Sequence, residues 1–153
     1  MKKSTVVLGL GNPLMADEGI GVYLLERLAE QAAQYDDVDF IDAGTGGMSV
    51  LHLIDGRAKA VFIDCAFMDE EPGTLRRFTP EDVRSTKVLA HQSLHDADLL
   101  HILTLAEQFG QRPDDVVIFG IQPKEVRPGS TLTEEIGAVI ARVIEQVLVE
   151  LHV

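Results

Sequence analysis

Short β-branched runs alternate with helical patterns along most of the chain. Four of these runs are bounded by turn residues and are apolar enough to predict strands buried on both faces. They cover residues 5–10, 38–41, 60–63 and 116–121. A fifth run, residues 74–78, follows a Pro-Gly pair and predicts an edge strand or hairpin, and its direction stays open.

Apolar residues repeat at helical spacing between the predicted strands and after the last one. Helices are predicted to begin near Asp17, to cover 47–54, and to run from just after Ser93 to Gly110. In the last helix, Thr131 and Glu134 fit a capping box, and apolar positions recur from 136 to 151.

Strands separated by single helices imply right-handed crossovers. We therefore predict an α/β fold in which a single domain spans residues 1–153 as a three-layer sandwich. Its mainly parallel twisted sheet has about five strands, with helices on both faces.

Composition and net charge indicate which kinds of partner and which cell compartment to expect. The chain has 153 residues, enough for one packed core, and 46% of them are apolar. Thirteen Lys and Arg against 25 Asp and Glu give a net charge of −12, which repels nucleic acid and anionic membranes, so we expect neither as a partner. No run is long enough for a transmembrane helix and the single cysteine cannot form an internal disulfide, so we expect a cytoplasmic protein. A monomer is compatible with the sequence.

Carboxylates follow three of the predicted strands. Asp17 and Glu18 come after the first strand, Asp42 after the second and Asp64 after the third. Because the carboxyl ends of parallel strands meet at one edge, where open α/β sheets bind ligands, we expect these side chains to converge there.

Each carboxylate also has a purely structural interpretation. Asp17 and Glu18 suit the first turn of a helix, where negative charge is favourable, and Asp42 suits capping of the glycine-rich turn after it. Asp64 is harder to explain in this way, because it closes an apolar strand and an unpaired buried carboxylate is costly.

The histidines and the cysteine supply further candidates. His91 and His95 are four residues apart, so a helix would place both on one face, but the segment lacks the glutamate of the zinc protease motif. Cys65 is an alternative nucleophile with His95 as its base. Its structural interpretation is a small buried apolar side chain.

Five short motifs extend from about residue 5 to the C-terminal helix. In chain order they are Gly9-x-Gly11-Asn12-x-Leu14-x-x-Asp17-Glu18-x-x-Gly21, Asp42-x-Gly44-Thr45-x-Gly47, the strand that ends at Asp64, Ser93-x-His95, and Gly120-Ile121-Gln122-Pro123. Together they resemble the hydrogenase maturation protease family.

The resemblance implies an endopeptidase that removes the C-terminal extension from the large subunit precursor of a nickel-iron hydrogenase. It implies that Glu18, Asp64 and His95 bind a metal and carry the catalysis, with nickel in the precursor as the recognition signal. Asp42, Gly44 and Thr45 would bind substrate. The family has a second glycine where this chain has Ala43, so a positive φ at that position would strain the loop.

Two carboxylates and one imidazole can hold a first-row divalent metal and leave coordination positions open. The catalytic metal could belong to the protease or could be the nickel of the substrate. In a third alternative, nickel is needed only for the precursor to bind, and the carboxylates act as bases. A non-catalytic nickel-sensing chaperone of the precursor, which uses the same cluster, is the alternative to an enzyme.

Overall fold

The computed structural model describes residues 2–82 and 94–152, and for residues 94–98 it describes the backbone alone. None of the helices within these ranges has the length and apolar character needed to cross a membrane. The elements in chain order are β1 (Thr5–Leu10), a 3-10 turn (Ala16–Gly19), α1 (Ile20–Ala29), a second 3-10 turn (Ala32–Gln34), β2 (Val38–Gly44), α2 (Ser49–Ile54), β3 (Lys59–Cys65), β4 (Leu75–Phe78), α3 (Leu94–Gln108), β5 (Asp115–Ile121), α4 (Glu134–Gly137) and α5 (Ile140–Leu151).

The five strands form one sheet in the order β2-β1-β3-β5-β4. β1 pairs in parallel with β2 and β3, and β3 pairs in parallel with β5. β4 lies antiparallel to β5 at the edge, which settles the direction that the sequence left open. The predicted α/β class and mainly parallel five-stranded sheet are therefore confirmed.

Helices bury one apolar layer on each face of the sheet. On the first face pack α2 and α3, and on the second face pack α1, α4 and α5. Successive side chains of β3 alternate between the layers, so Phe62 joins the first layer while Ile63 and Cys65 join the second. By the same alternation Asp64 lies on the first face, with α2 and α3.

The position of β2 corrects one prediction. This strand lies at an edge of the sheet, and most of its side chains are only half-buried, because a neighbour covers one side alone. The predicted burial on both faces is wrong for β2. The strand also extends to Gly44, so Asp42 lies within it rather than after it.

The predicted C-terminal helix is divided into α4 and α5. In the part of the chain that the structure describes, the N-cap residue of α4 is Thr133 and its side chain makes no capping hydrogen bond, so the capping box of Thr131 and Glu134 is wrong. The Thr133 hydroxyl donates instead to the carboxylate of Asp17, at 2.8 Å.

A cluster of charges joins α5 to the sheet, and in it Glu150 and Lys59 are buried while Arg77 is exposed. The Glu150 carboxylate accepts hydrogen bonds from the Arg77 guanidinium, at 2.8 and 3.1 Å, and from Lys59 Nζ at 3.1 Å. The bond from Arg77, supported by Lys59, holds the pKa of Glu150 below its usual range despite burial.

Candidate functional site

Two glycines allow close packing after β1, Gly21 of the start of α1 against the ends of β1 and β3, and Gly11 against the 3-10 turn that carries Glu18. A Cβ on Gly21 would lie 2.2 Å from the carbonyl oxygen of Leu10 and 2.4 Å from that of Ile63. A Cβ on Gly11 would lie 2.0 Å from the carbonyl oxygen of Glu18. Larger residues would therefore push the loop away. The close approach brings Glu18, which is half-buried, to the carboxyl ends of β1 and β3.

Asp64 is the penultimate residue of β3 and is fully buried. Its Oδ1 accepts a hydrogen bond from the backbone N–H of Cys65 at 2.8 Å. The register pairs Gly9 of β1 with Ile63 of β3, so Asp64 lies beside the end of β1, where the loop that carries Glu18 begins.

This edge is also where the sheet changes its winding direction. After β1 the chain forms α1 on the second face and then β2, which lies on one side of β1. β3 lies on the other side of β1, and the strands that follow it, β4 and β5, extend the sheet in that direction. Open α/β sheets bind ligands in the crevice at such a switch point. The loop after β1 and the end of β3 therefore flank the position at which a ligand is expected.

The first turn of α3 contains residue 95, the third candidate. Leu99 and Ile102 follow in the next two turns and line a small cavity together with Leu10, at the end of β1. α3 thus starts at the carboxyl edge, on the face that Asp64 occupies. The side chain of His95 and the whole of His91 lie outside the described residues.

The turn at the end of β2 is shaped by Asp42. This exposed side chain accepts a hydrogen bond from the backbone N–H of Gly44 at 2.8 Å, and Gly44 has a φ of 55°. The structural interpretation of Asp42 as a turn residue is therefore confirmed. Ala43 is not among the residues with positive φ, so the strain considered there is absent. Thr45 is exposed beside this turn.

Asp17 has a role that the sequence did not reveal. It is fully buried, and its Oδ2 accepts hydrogen bonds from the backbone N–H groups of Lys124 and Glu125, at 2.9 Å each, and from the Thr133 hydroxyl at 2.8 Å. Its Oδ1 accepts the Thr133 N–H at 2.8 Å. Burial alone would raise the pKa of Asp17, but the bonds from Glu125, Thr133 and Lys124 hold it below its usual range. Asp17 does lie in the first turn of the 3-10 helix Ala16–Gly19, but the interpretation that it is no more than a favourable charge there is wrong.

These bonds attach the segment after β5 to the loop after β1. The backbone adds a bond from Ala16 N–H to the Gly129 carbonyl at 2.8 Å and another from Gly129 N–H to the Leu14 carbonyl at 2.9 Å. Ala16 has a φ of 49°, which is unusual for a residue with a Cβ and is maintained here by its neighbours. Together these contacts fix the backbone immediately before Glu18.

Gln122 is a second buried polar residue at this edge that sequence reasoning left without a role. Its Oε1 accepts hydrogen bonds from the N–H groups of Met68, at 2.6 Å, and Glu70, at 3.4 Å. Its amide group donates to the Pro123 carbonyl at 3.3 Å. Gln122 therefore holds the loop after β3 against the end of β5.

Cys65 is fully buried in the layer that α1 and α5 form on the second face. α3 packs on the first face. A pair of Cys65 and His95 would therefore have to act across the sheet, and this disposition argues against a cysteine nucleophile.

Among the residues whose side chains the structure describes, no three His, Cys, Asp or Glu residues form a group that could hold a metal ion. The predicted set includes His95, whose side chain is not among them. The metal set of Glu18, Asp64 and His95 stays a prediction.

Comparisons with known proteins agree with this architecture. A family model described as hydrogenase maturation protease matches residues 22–150. The chain is 33% identical over 151 residues to the hydrogenase 2 maturation protease of Escherichia coli K12, covering 96% of this chain and 90% of that protein. It is 32% identical over 142 residues to the hydrogenase expression/formation protein HoxM of Cupriavidus necator, covering 92% and 70%.

Solved structures extend the similarity to the whole fold. The hydrogenase maturating endopeptidase HybD from Escherichia coli has a TM-score of 0.83 and 29% identity, covering 99% of this chain and 93% of its own. The NiFe hydrogenase maturation protease HybD from Thermococcus kodakarensis has a TM-score of 0.76 and 25% identity, covering 96% and 97%.

Proposed function

The chain belongs to the hydrogenase maturation protease family, and we propose that it cleaves the C-terminal extension from a nickel-loaded large subunit precursor of a nickel-iron hydrogenase. The observation that carries the proposal is the convergence of three elements at the switch point of the sheet. These are the loop that bears Glu18, the end of β3 that bears Asp64, and the first turn of α3 that bears residue 95.

We assign Glu18, Asp64 and His95 to contact the nickel that the precursor carries. Two carboxylates and one imidazole suit a first-row divalent ion. The complete burial of Asp64 supports the assignment, because a carboxylate removed from water is stabilised by a nearby cation. A metal ion at this edge would polarise the scissile carbonyl group or lower the pKa of a water molecule.

The remaining residues of the edge position the peptide. We assign Asp42, Gly44 and Thr45 to substrate binding, with Asp42 acting through the turn that its carboxylate holds. The carboxylate of Glu18 or of Asp64 can act as the general base that accepts a proton from the attacking water. The buried bonds of Asp17 keep the backbone beside Glu18 in one conformation, as catalysis by positioned groups requires.

Incubation of the purified protein with the nickel-loaded precursor tests the function. We expect a shortened large subunit and one released C-terminal peptide, both identified by mass spectrometry. A nickel-sensing chaperone would form a complex with the precursor and leave its mass unchanged, which would contradict the proposal.

A set of variants tests the site separately. Glu18→Gln should abolish cleavage and weaken nickel binding, measured by calorimetry with nickel or cadmium as the titrant. Glu26→Gln is the matched control, since Glu26 is an exposed carboxylate further along α1, and it should behave as wild type. Asp64→Asn should resemble Glu18→Gln.

The histidine assignment has its own comparison. His95→Ala should lose metal affinity and cleavage, because it removes an imidazole ligand, whereas His91→Ala should retain both. The opposite result would move the nitrogen ligand to His91.

A further inference from the structure

Three large apolar side chains are exposed at the carboxyl edge of the sheet, each in a loop that follows a different strand. Leu14 follows β1 and is 67% exposed, Met48 follows β2 and is 58% exposed, and Phe67 follows β3 and is 37% exposed. These three residues are termed the apolar rim. A single exposed apolar residue is ordinary, but several around one functional edge indicate an interaction surface.

The apolar rim stands on loops whose backbone is held in place. The Leu14 carbonyl accepts a hydrogen bond from Gly129 N–H at 2.9 Å. The residue after Phe67, Met68, donates its N–H to the buried Gln122 side chain at 2.6 Å. With the backbone of these two loops fixed in this way, the side chains of Leu14 and Phe67 remain exposed. Leu14 belongs to the first sequence motif, and because its side chain is exposed, packing in the core does not explain why the motif has a leucine there.

A recess beside Met48 adds to this surface. Its volume is about 260 Å³, and it is lined by Gly47, Met48, His101 and Ile102. An apolar side chain of a partner can enter a recess of this kind and anchor an interface, while the surrounding contacts exclude water.

We infer that the apolar rim is the docking surface for the folded precursor, whose complementary surface is an apolar patch beside the scissile segment. This inference rests on the proposed function. A protein that is cut between Glu18 and Asp64 must lie over the loops that follow β1, β2 and β3. Since Leu14, Met48 and Phe67 stand on those same loops, the substrate covers them.

Charge favours the precursor over a second copy of this chain. Asp42 is exposed near the end of β2, Asp69 and Glu71 are exposed on the loop after β3, and the whole chain carries a net charge of −12. Two copies that met through this edge would face each other with like charges, which opposes association. A precursor surface with basic residues around its apolar patch would complement both features.

Single Leu14→Ser, Met48→Ser and Phe67→Ser variants test the inference in steady-state cleavage of the nickel-loaded precursor. We expect KM to rise by about fivefold to thirtyfold, which corresponds to an interface contact of about 1 to 2 kcal/mol, with a much smaller change in kcat. Phe109→Ser and Val149→Ser are matched controls, because these residues are 66% and 54% exposed and lie outside the three loops. Both controls should keep the wild-type KM.

The outcomes distinguish the two proposals. If the wild-type protein cleaves the precursor and all three rim variants have the KM of the controls, the docking inference is wrong. If the wild-type protein does not cleave the nickel-loaded precursor, the proposed function fails, and the docking inference fails with it. A concentration-dependent dimer that the rim variants abolish, seen by analytical ultracentrifugation, would assign the rim to a second copy and overturn the inference. Thermal unfolding of each variant ensures that only folded proteins are compared.

Discussion

Replacement of Asp17 by asparagine should destabilise the fold, because its carboxylate is a fully buried acceptor. It takes four hydrogen bonds from Lys124, Glu125 and Thr133, and these attach the segment after β5 to the loop before α1. The sequence suggested a surface charge at a helix start, for which the same substitution would cost about 0.3 to 1 kcal/mol.

The magnitude follows from the geometry of the two oxygens. An asparagine with its carbonyl group at the Oδ2 position keeps three acceptor contacts, but its amino group then faces the N–H of Thr133. One hydrogen bond to a charged acceptor is lost, a buried donor is left unsatisfied, and the other bonds lose their charge, so we expect a loss of about 2 to 4 kcal/mol. Asp17→Ala, which removes all four bonds, should cost about 3 to 5 kcal/mol.

Urea unfolding monitored by circular dichroism measures these losses. Thr133→Val removes only the hydroxyl donor and should cost about 1 kcal/mol. Asp42→Asn is the matched control, because that carboxylate is exposed and makes one hydrogen bond to Gly44, and it should stay within about 1 kcal/mol of wild type. In a chain of this length each kcal/mol lowers Tm by about 2 to 4 °C.

One combination of results would contradict a structural role for Asp17. If Asp17→Asn unfolds at the same urea concentration as the wild type but no longer cleaves the precursor, the carboxylate belongs to the chemistry of the site. We expect the reverse, with lower stability and with cleavage retained at temperatures where the variant is folded, because three of the four contacts still hold the backbone beside Glu18.

Three other substitutions have defined expectations. Cys65→Ser should cleave at close to the wild-type rate, because the thiol lies in the apolar layer on the face opposite α3; loss of cleavage by the folded variant would restore the nucleophile hypothesis. The hydrogen bonds from Arg77 and Lys59 lower the pKa of Glu150 on folding. The ionised carboxylate therefore stabilises the fold, and this contribution is complete above the unfolded pKa of about 4.3. It is lost as the pH falls through the folded pKa. Glu150→Gln should therefore be less stable than wild type near neutral pH, with a difference that shrinks in acid, and an unchanged difference in urea unfolding would contradict this. Gly21→Ala should cost about 1 to 3 kcal/mol in the same assay because its Cβ would overlap two carbonyl oxygens, and wild-type stability would show that α1 can move away.

The general architecture was predictable because it depends on local patterns. Alternation of β-branched runs with helical periodicity indicates a parallel sheet, since crossover connections have one hand. The edge position of β2 could not be predicted in the same way, nor could the direction of β4. Both depend on strand order and pairing, which are set by packing between residues distant in sequence.

The position of Asp64 at the carboxyl edge of the sheet was predictable from the sequence. Asp64 is the penultimate residue of a strand that is buried throughout, so a carboxylate there suggested a ligand from the sequence. Asp17 matched a local helix signal, and its bond to Thr133 joins positions 116 residues apart, which no local pattern reveals. At the end of β2 the positive φ falls on Gly44, a shift by one residue from the position that the sequence suggested.

The most direct test of the central claim is the mass of the large subunit after incubation with this protein, for a nickel-loaded precursor and a nickel-free precursor in parallel. We expect the loaded precursor to lose its C-terminal extension and the nickel-free precursor to keep its full mass. Equal processing of both would contradict nickel recognition at the carboxyl edge, and an unchanged mass of the loaded precursor would contradict the assignment as its maturation endopeptidase.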